Sequence, residues 1–265
     1  MNHDLTCLCQ WLRANKLSLN VDKTELIIFK SPQTKLDFKY KFKIDGHRIT
    51  PKSTIKYLGL LIDENLNWKS QISKLKSKLT RAIGMLSKLR YCTPPKFLKT
   101  AYHALFGSHL LYACQVWGMN SEIHIQLIQK LQNRAIRKIT FSDLNSNVSP
   151  LYNELKIIKF NDLIHLQNCI FMHQLENDLL PTSFNHFSTL VSDNHRYQTR
   201  SVTRGLHEIP TVRTHNYGSL SIKNICVNDW NQFKSLFPNH INENLTGNKV
   251  KSLFQELVFN YYASH

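Results

Sequence analysis

The sequence predicts a mostly helical α+β fold, in which a short strand-bearing segment precedes a long helical one. Three observations predict it. Phe38, Tyr40, Phe42 and Ile44 alternate with Lys39, Lys41 and Lys43, the period-two pattern of a strand with one apolar and one basic face. From Lys69 onward the apolar residues instead recur every three or four positions, as on a helix face. The 8 glycines and 8 prolines are too few and too scattered for a collagenous or low-complexity chain. With 265 residues, 42% of them hydrophobic and 20% charged, the chain can bury a sizeable core, and wholesale disorder is excluded.

Each element has its own signal. Residues 4–15 read as a helix, with Asp4 as N-cap and Leu5, Leu8 and Leu12 on one face beside Trp11. Thr24–Phe29 is rich in β-branched and aromatic residues and stops before Pro32, so it reads as a strand. After the Lys-alternating strand at 38–44, Asp45-Gly46 is the dipeptide favoured in type I′ hairpins, and a return strand is expected through Arg48-Ile49. Tyr57–Ile62 reads as a buried strand, with Asp63-Glu64-Asn65 as its exit turn. Ile72, Leu75, Leu79, Ile83, Leu86 and Leu89 then form one helical stripe, and Pro94-Pro95 breaks the chain. A second helix is expected from about Lys96 to Val116. A third, from about Glu122 to Ile139, has the stripe Ile123, Leu127, Leu131, Ala135 and Ile139. Short connections between these three argue for an antiparallel bundle.

Ser149-Pro150 opens a new section. A broad apolar face over Phe160–Leu175 predicts a helix, ended by Leu179-Leu180-Pro181. Residues 182–206 read as a polar loop, 209–213 as a short extended segment, and 219–236 and 249–262 as helices. No repeat at solenoid period is present.

Charge carries the first functional indication. The formal net charge is +16, which points to a polyanion as partner. Residues 1–104 hold 20 Lys and Arg against 7 Asp and Glu, while residues 105–265 hold 14 against 11. The polyanion-facing part is therefore the first two-fifths of the chain. The six cysteines are too few for a disulfide scaffold, and Cys7-x-Cys9 lacks a second Cys/His pair at zinc spacing. Met1-Asn2-His3-Asp4 shows no basic n-region followed by an apolar run, so a cytoplasmic or nuclear rather than secreted setting is expected. Thr100–Ser121 carries no charge, but its His103, Ser108, His109, Gln115 and Asn120 suit a buried helix rather than a membrane span.

The run Trp11–Glu25, followed by Tyr57-Leu58-Gly59 through Ile62-Asp63 and Leu66-Asn67-Trp68-Lys69, resembles a known family: the C-terminal part of reverse transcriptases from non-LTR, LINE-like retrotransposons of the jockey-like type. Leu110-Leu111-Tyr112 with Val116-Trp117-Gly118 resembles that family's thumb region. Tyr197–Ser201, Pro210, Arg213-Thr214, Tyr217-Gly218-Ser219, Ser221-Ile222 and Trp230-Asn231 resemble its tail. The resemblance implies a truncated palm remnant with a primer-grip-like hairpin at 1–67, a helical thumb-like bundle at 68–145, and a family-specific C-terminal region at 146–265. It also implies that the family's catalytic aspartates lie upstream of Met1. No Asp-Asp pair occurs in this sequence, and Asp22, Asp45 and Asp63 stand isolated. The chain alone is thus expected to be inactive and to need no cofactor, whereas a full-length parent would use two divalent metal ions, Mg by expectation.

Candidate nucleic-acid contacts follow. Lys23 lies where the family has a lysine proposed to protonate the leaving pyrophosphate. Tyr57, Leu58 and Gly59 are implied to shape the turn that holds a primer end, or else to serve as plain strand core. Lys74, Lys78, Arg81 and Lys88 have helical spacings of three, four and seven, so they can share a face along a phosphate backbone. The Lys39, Lys41 and Lys43 face is a second candidate, although edge strands also use lysine to block aggregation. Trp11, Trp68, Trp117 and Trp230 are expected in cores rather than stacked on bases. The partners expected are RNA, DNA or their hybrid through residues 23–99, together with the missing palm and fingers. The alternatives are a protein-interaction module without nucleic-acid function and, resting only on basicity and the uncharged 100–121 stretch, membrane attachment; salt dependence separates the first from nucleic-acid binding.

Overall fold

The computed structural model describes residues 2–34, 41–119, 121–194, 197–238 and 245–264. The chain forms two compact units, Met1–Lys74 and Leu75–His265.

The first unit opens with helix α1 (Asn2–Ala14), which packs on strand β1 (Phe42–Ile44). The Asn2 side chain stitches the two together, donating to Lys41 O at 3.1 Å and accepting from Lys43 N at 3.3 Å. β1 pairs antiparallel with β2 (His47–Ile49) in the register Phe42–Ile49 and Ile44–His47. Positive φ at Asp45 and Gly46 gives the expected mirror-image turn, which Arg13 holds by an ion pair to Asp45. Phe38, Lys39 and Tyr40 lie outside the described residues. Lys41 and Lys43 are exposed, and Ile44 is buried.

Two strand expectations are corrected. Thr24–Phe29 joins no ladder beyond a single parallel bridge between Leu26 and Pro51. Lys52 N donates to Leu26 O at 2.8 Å and Lys30 N to Glu64 O at 2.9 Å, isolated bonds to two different segments rather than a ladder. The segment 57–62 is not one strand. Chain reversal at Leu58-Gly59 separates β3 (Thr54–Tyr57) from β4 (Leu60–Asp63), and the two pair antiparallel from Thr54–Asp63 to Tyr57–Leu60.

Helix α2 (Lys69–Cys92) begins in the first unit and continues in the second, where Leu75, Leu79, Ala82, Ile83 and Leu86 are buried. The expected helix 96–116 is interrupted. α3 (Pro95–Tyr102) widens into a π-turn at His103–Gly107 and resumes as α4 (Ser108–Leu111). Ala113 then adopts left-handed φ, and α5 (Cys114–Trp117) starts afresh. The indole of Trp117 donates to Tyr112 O at 2.8 Å and so satisfies a carbonyl at the break.

α6 spans Glu122–Ile139, but its buried face is Ile128, Gln132, Ala135, Ile136 and Ile139. The expected stripe is rotated, and its first member Ile123 is 77% exposed. After α7 (Ser149–Leu155), α8 (Phe160–Glu176) is the helix on which α5 and α6 pack. Gln132 fixes this packing from a buried position. Its amide donates to Tyr102 Oη at 3.0 Å and Ile158 O at 2.9 Å, and its oxygen accepts from Phe160 N at 2.7 Å. Trp117 stacks on Phe160. Close approach of α5 to α8 also demands Gly118: a β-carbon there would sit 2.9 Å from Ile164 Cδ1 and collide with Cys114 O.

Among the described residues, 182–206 hold a 3-10 turn at Thr182–Phe184 and the short helices α9 (Val191–Asn194) and α10 (Arg200–Thr203), and 209–213 joins no ladder. α11 (Ile222–Leu236) and α12 (Gly247–Ser264) complete the unit, both packed on α8. Cys169, Met172, Cys226, Val227, Trp230, Phe233, Val250 and Leu253 form the core there. Because α8 is packed by helices from both sides of position 146, residues 75–145 share one compact unit with the expected region 146–265, while 68–74 fall in the first unit. No helix among the described residues is long and apolar enough to cross a membrane.

Among the described residues, the first unit buries few hydrophobic side chains: Cys9, Ile44, Leu60 and Ile72. Local opening free energy follows such burial. Amides of β1 and β2 are therefore expected to exchange at least about tenfold faster than those of α8. Hydrogen exchange with mass spectrometry reads this directly, and equal protection of both units would contradict it.

Candidate nucleic-acid interface

The β3–β4 tip is built by left-handed backbone at two successive residues, Leu58 and Gly59. Glycine adopts this conformation freely and leucine at a cost of about 1 kcal/mol, so the tip needs support. Helix α2 supplies it. Lys74 Nζ donates to Gly59 O at 2.9 Å, and Gln71 Oε1 accepts from Leu61 N at 3.1 Å. The buried Asp63 carboxylate closes the connection, accepting from Asn67 N at 3.0 Å, Trp68 N at 2.8 Å and Asn65 N at 3.2 Å. These bonds cap the start of α2. They leave Tyr57 60% and Leu58 72% exposed, at the tip of a braced hairpin. Tyr57 and Leu58 are therefore not strand core. An exposed aromatic beside an exposed leucine, on a backbone that Gly59 leaves uncrowded, is a surface that a nucleic-acid end can approach closely. Lys74 is part of the brace rather than a freely extended side chain.

Lys23 lies on a separate short turn, Val21–Lys23, whose backbone is held by Asn20 Oδ1 at 3.1 Å from Lys23 N. Its side chain is exposed. Part of the surrounding positive charge is neutralised: Lys52 pairs with Glu25 at 2.6 Å, and Lys30 with Glu64 at 3.4 Å. Two of the three aspartates here are occupied. Asp63 serves the α2 cap, Asp45 pairs with Arg13, and Asp22 is exposed on the Lys23 turn. Among the described residues no three His, Cys, Asp or Glu side chains are grouped to hold a metal ion. These residues do not fit a two-metal polymerase centre, and no metal-dependent step is assigned to them.

In the second unit α2 exposes Arg81 and Lys88 on the side away from Leu79 and Leu86. Lys78 is half-buried at the flank of that stripe. His109 on α4 registers the field: burial, and then the nearby charges of Lys78 and Arg81, hold its imidazole below the ordinary value. Lys78, Arg81 and His109 thus make one electropositive neighbourhood. Sequence spacing predicts the two basic residues; His109, on another helix, has no local signal connecting it to them. Nor do the hairpin braces Gln71 and Lys74, whose partners lie 10 and 15 residues away. Trp117 and Trp230 are in cores as expected, whereas Trp11 is exposed and Trp68 half-buried.

By sequence the chain is related to RNA-directed DNA polymerases of mobile genetic elements. The relatives are non-LTR retrotransposon enzymes, and the match is to part of such a reverse transcriptase, of the jockey-like type. It is 25% identical over 171 residues to the probable RNA-directed DNA polymerase from transposon X-element of Drosophila melanogaster, covering 63% of this chain and 18% of that one. It is 26% identical over 125 residues to the RNA-directed DNA polymerase from mobile element jockey of Drosophila funebris, covering 46% and 14%. A third relative, from transposon BS of Drosophila melanogaster, is 27% identical over 58% of this chain and 17% of its own. The chain therefore spans under a fifth of the length of these relatives. No family model and no solved structure matches it.

Proposed function

We propose that the chain forms the C-terminal part of a retrotransposon reverse transcriptase and supplies its primer-grip-like hairpin and thumb-like helices. In this reading residues 23–99 hold RNA, DNA or their hybrid through the phosphate backbone, without reading sequence. The observation that carries it is a braced, exposed Tyr57-Leu58-Gly59 tip in one unit, together with the exposed basic face of α2 in the other. Nucleotidyl transfer, and the two divalent metal ions it requires, would belong to a palm bearing clustered aspartates, which this chain does not contain. A cytoplasmic or nuclear setting suits six cysteines that are all free.

The test is a fluorescence titration of hybrid duplex, double-stranded DNA and RNA against the full chain. Affinity is expected to fall linearly on a log–log plot against salt, with a slope of about −3 or steeper, and to differ little between sequences. Salt-insensitive binding, or none at about 50 mM salt, would favour a protein-interaction module instead.

A further inference from the structure

Residues 65–121 hold nine Lys and Arg and no Asp or Glu. Cations gathered without carboxylates repel one another and favour an anion as neighbour. Two exposed rings stand in this run where α2 gives way to α3. Tyr91, in the last turn of α2, is 80% exposed, and Phe97, in the first turn of α3, is 52% exposed. Only Thr93 and Pro94 separate the two helices. Tyr91 lies three positions after Lys88, so it continues the exposed basic face of α2. Lys96 Nζ lies 5.0 Å from the centroid of the Phe97 ring.

The end of α6 adds a third ring. Phe141 follows that helix with left-handed backbone, the place where glycine commonly ends a helix. Ser142 N closes the turn on Arg137 O at 3.1 Å. The Phe141 ring meets the guanidinium of Arg90, whose central carbon lies 4.3 Å from its centroid and 5.4 Å from that of Tyr91. Among the described residues Arg90 makes no hydrogen bond or ion pair, and its contacts are to aromatic rings rather than to a carboxylate. Residues 123–142 contribute four further basic residues and no acidic one, with Asp143 the next carboxylate along the chain.

Exposed rings rimmed by charge mark a contact surface. A duplex would use the cations but not the rings, because its paired bases already cover each other's faces. An apolar protein face would cover the rings and leave the cations without countercharge. Unpaired bases on a phosphate backbone answer to both. We propose that the α2–α3 junction, together with the end of α6, binds an unpaired stretch of RNA or DNA, stacking bases on Tyr91 and Phe97 while Lys88 and Lys96 face its phosphates. This inference rests on nucleic acid being the partner, as read above. It adds a single-strand site about 15 Å along α2 from Arg81.

The test titrates the full chain with oligothymidine, an abasic strand of the same length and a blunt duplex. Wild type is expected to bind oligothymidine about 30-fold more tightly than the abasic strand, the effect of two stacked bases. Tyr91→Ala with Phe97→Ala should abolish that difference. The double variant should keep the wild-type salt slope, because no phosphate contact is removed, and bind the duplex within about twofold of wild type. Both positions are exposed, so circular dichroism should be unchanged, and Tyr91→Trp with Phe97→Trp should restore affinity by restoring the ring faces. Equal wild-type affinity for the two strands, or a preference that survives in the double variant, would overturn the proposal. So would polyglutamate that displaces the strand as well as unlabelled oligothymidine does, the mark of a bare cationic patch. Duplex binding without a base effect defeats this inference alone, and a base effect without duplex binding defeats the earlier reading alone.

Discussion

Replacing Lys78, Arg81 and Lys88 together by glutamate is expected to lower duplex affinity on the order of 100-fold at about 50 mM salt and to flatten the salt slope by about 3. Arg81 and Lys88 are exposed and Lys78 lies at the edge of the buried stripe, so the substitutions leave the Leu79–Leu86 core face intact. The loss should be equal for unrelated sequences, because phosphate contacts carry no sequence information. His109 gives an internal control for folding. After burial, the charges of Lys78 and Arg81 are what lower its pKa, so the triple variant should titrate His109 at a higher pH in NMR. A raised His109 value with unchanged duplex affinity would show that the helix is intact and that its basic face makes no contact with nucleic acid.

Glu176→Gln is expected to destabilise the second unit by about 3 kcal/mol, within the range for breaking a buried charged pair. The mostly buried Glu176 accepts at one oxygen from Lys234 at 2.5 Å, His207 at 2.6 Å and Trp230 at 2.8 Å. Neutralising it leaves the buried Lys234 ammonium without an anionic partner, beside Gly205 O at 2.7 Å. The wild-type carboxyl is held below the ordinary 4.5. Burial alone would raise it, but the bond from His207 and the charge of Lys234 outweigh burial. A depressed folded-state value contributes stability that is complete above the unfolded value and disappears as pH falls through the folded one. Wild type should therefore lose its advantage over Glu176→Gln as pH falls below about 4.5. Thermal unfolding followed by tryptophan fluorescence, to which the buried Trp117 and Trp230 of this unit contribute, measures both effects. A pH-independent gap between the two proteins would exclude the electrostatic account.

Long helices were legible because their apolar periods extend over several turns: α2, α6, α8 and α11 lie close to where their patterns place them. The misread places are those where one residue decides against a continuing pattern. Apolar residues run from Tyr57 through Ile62, and Leu58 carries no turn signal, so the hairpin tip reads as strand. Nothing in Leu111-Tyr112-Ala113 marks the break before α5, since Ala113 ordinarily favours helix. Packing and the Trp117–Tyr112 bond override that preference. The α6 stripe was rotated because Gln132 is buried for its hydrogen bonds rather than its polarity pattern. At the interface, residue types and helical spacing were readable from the chain. The braces on the hairpin tip were not, because they join residues that only the fold brings together.

Gly118 bears on the history of the gene as well as on packing. A mobile element leaves many copies, most of which decay without constraint. Where the encoded chain no longer needs to fold, the Gly118 codon should change as readily as any other. Where α5 must still close against Ile164, every missense change at that codon inserts a side chain into occupied space. A survey of genomic copies that weighs this codon against an exposed neighbour such as Val116 would therefore separate lineages under purifying selection from relics, using the protein's own geometry as the clock.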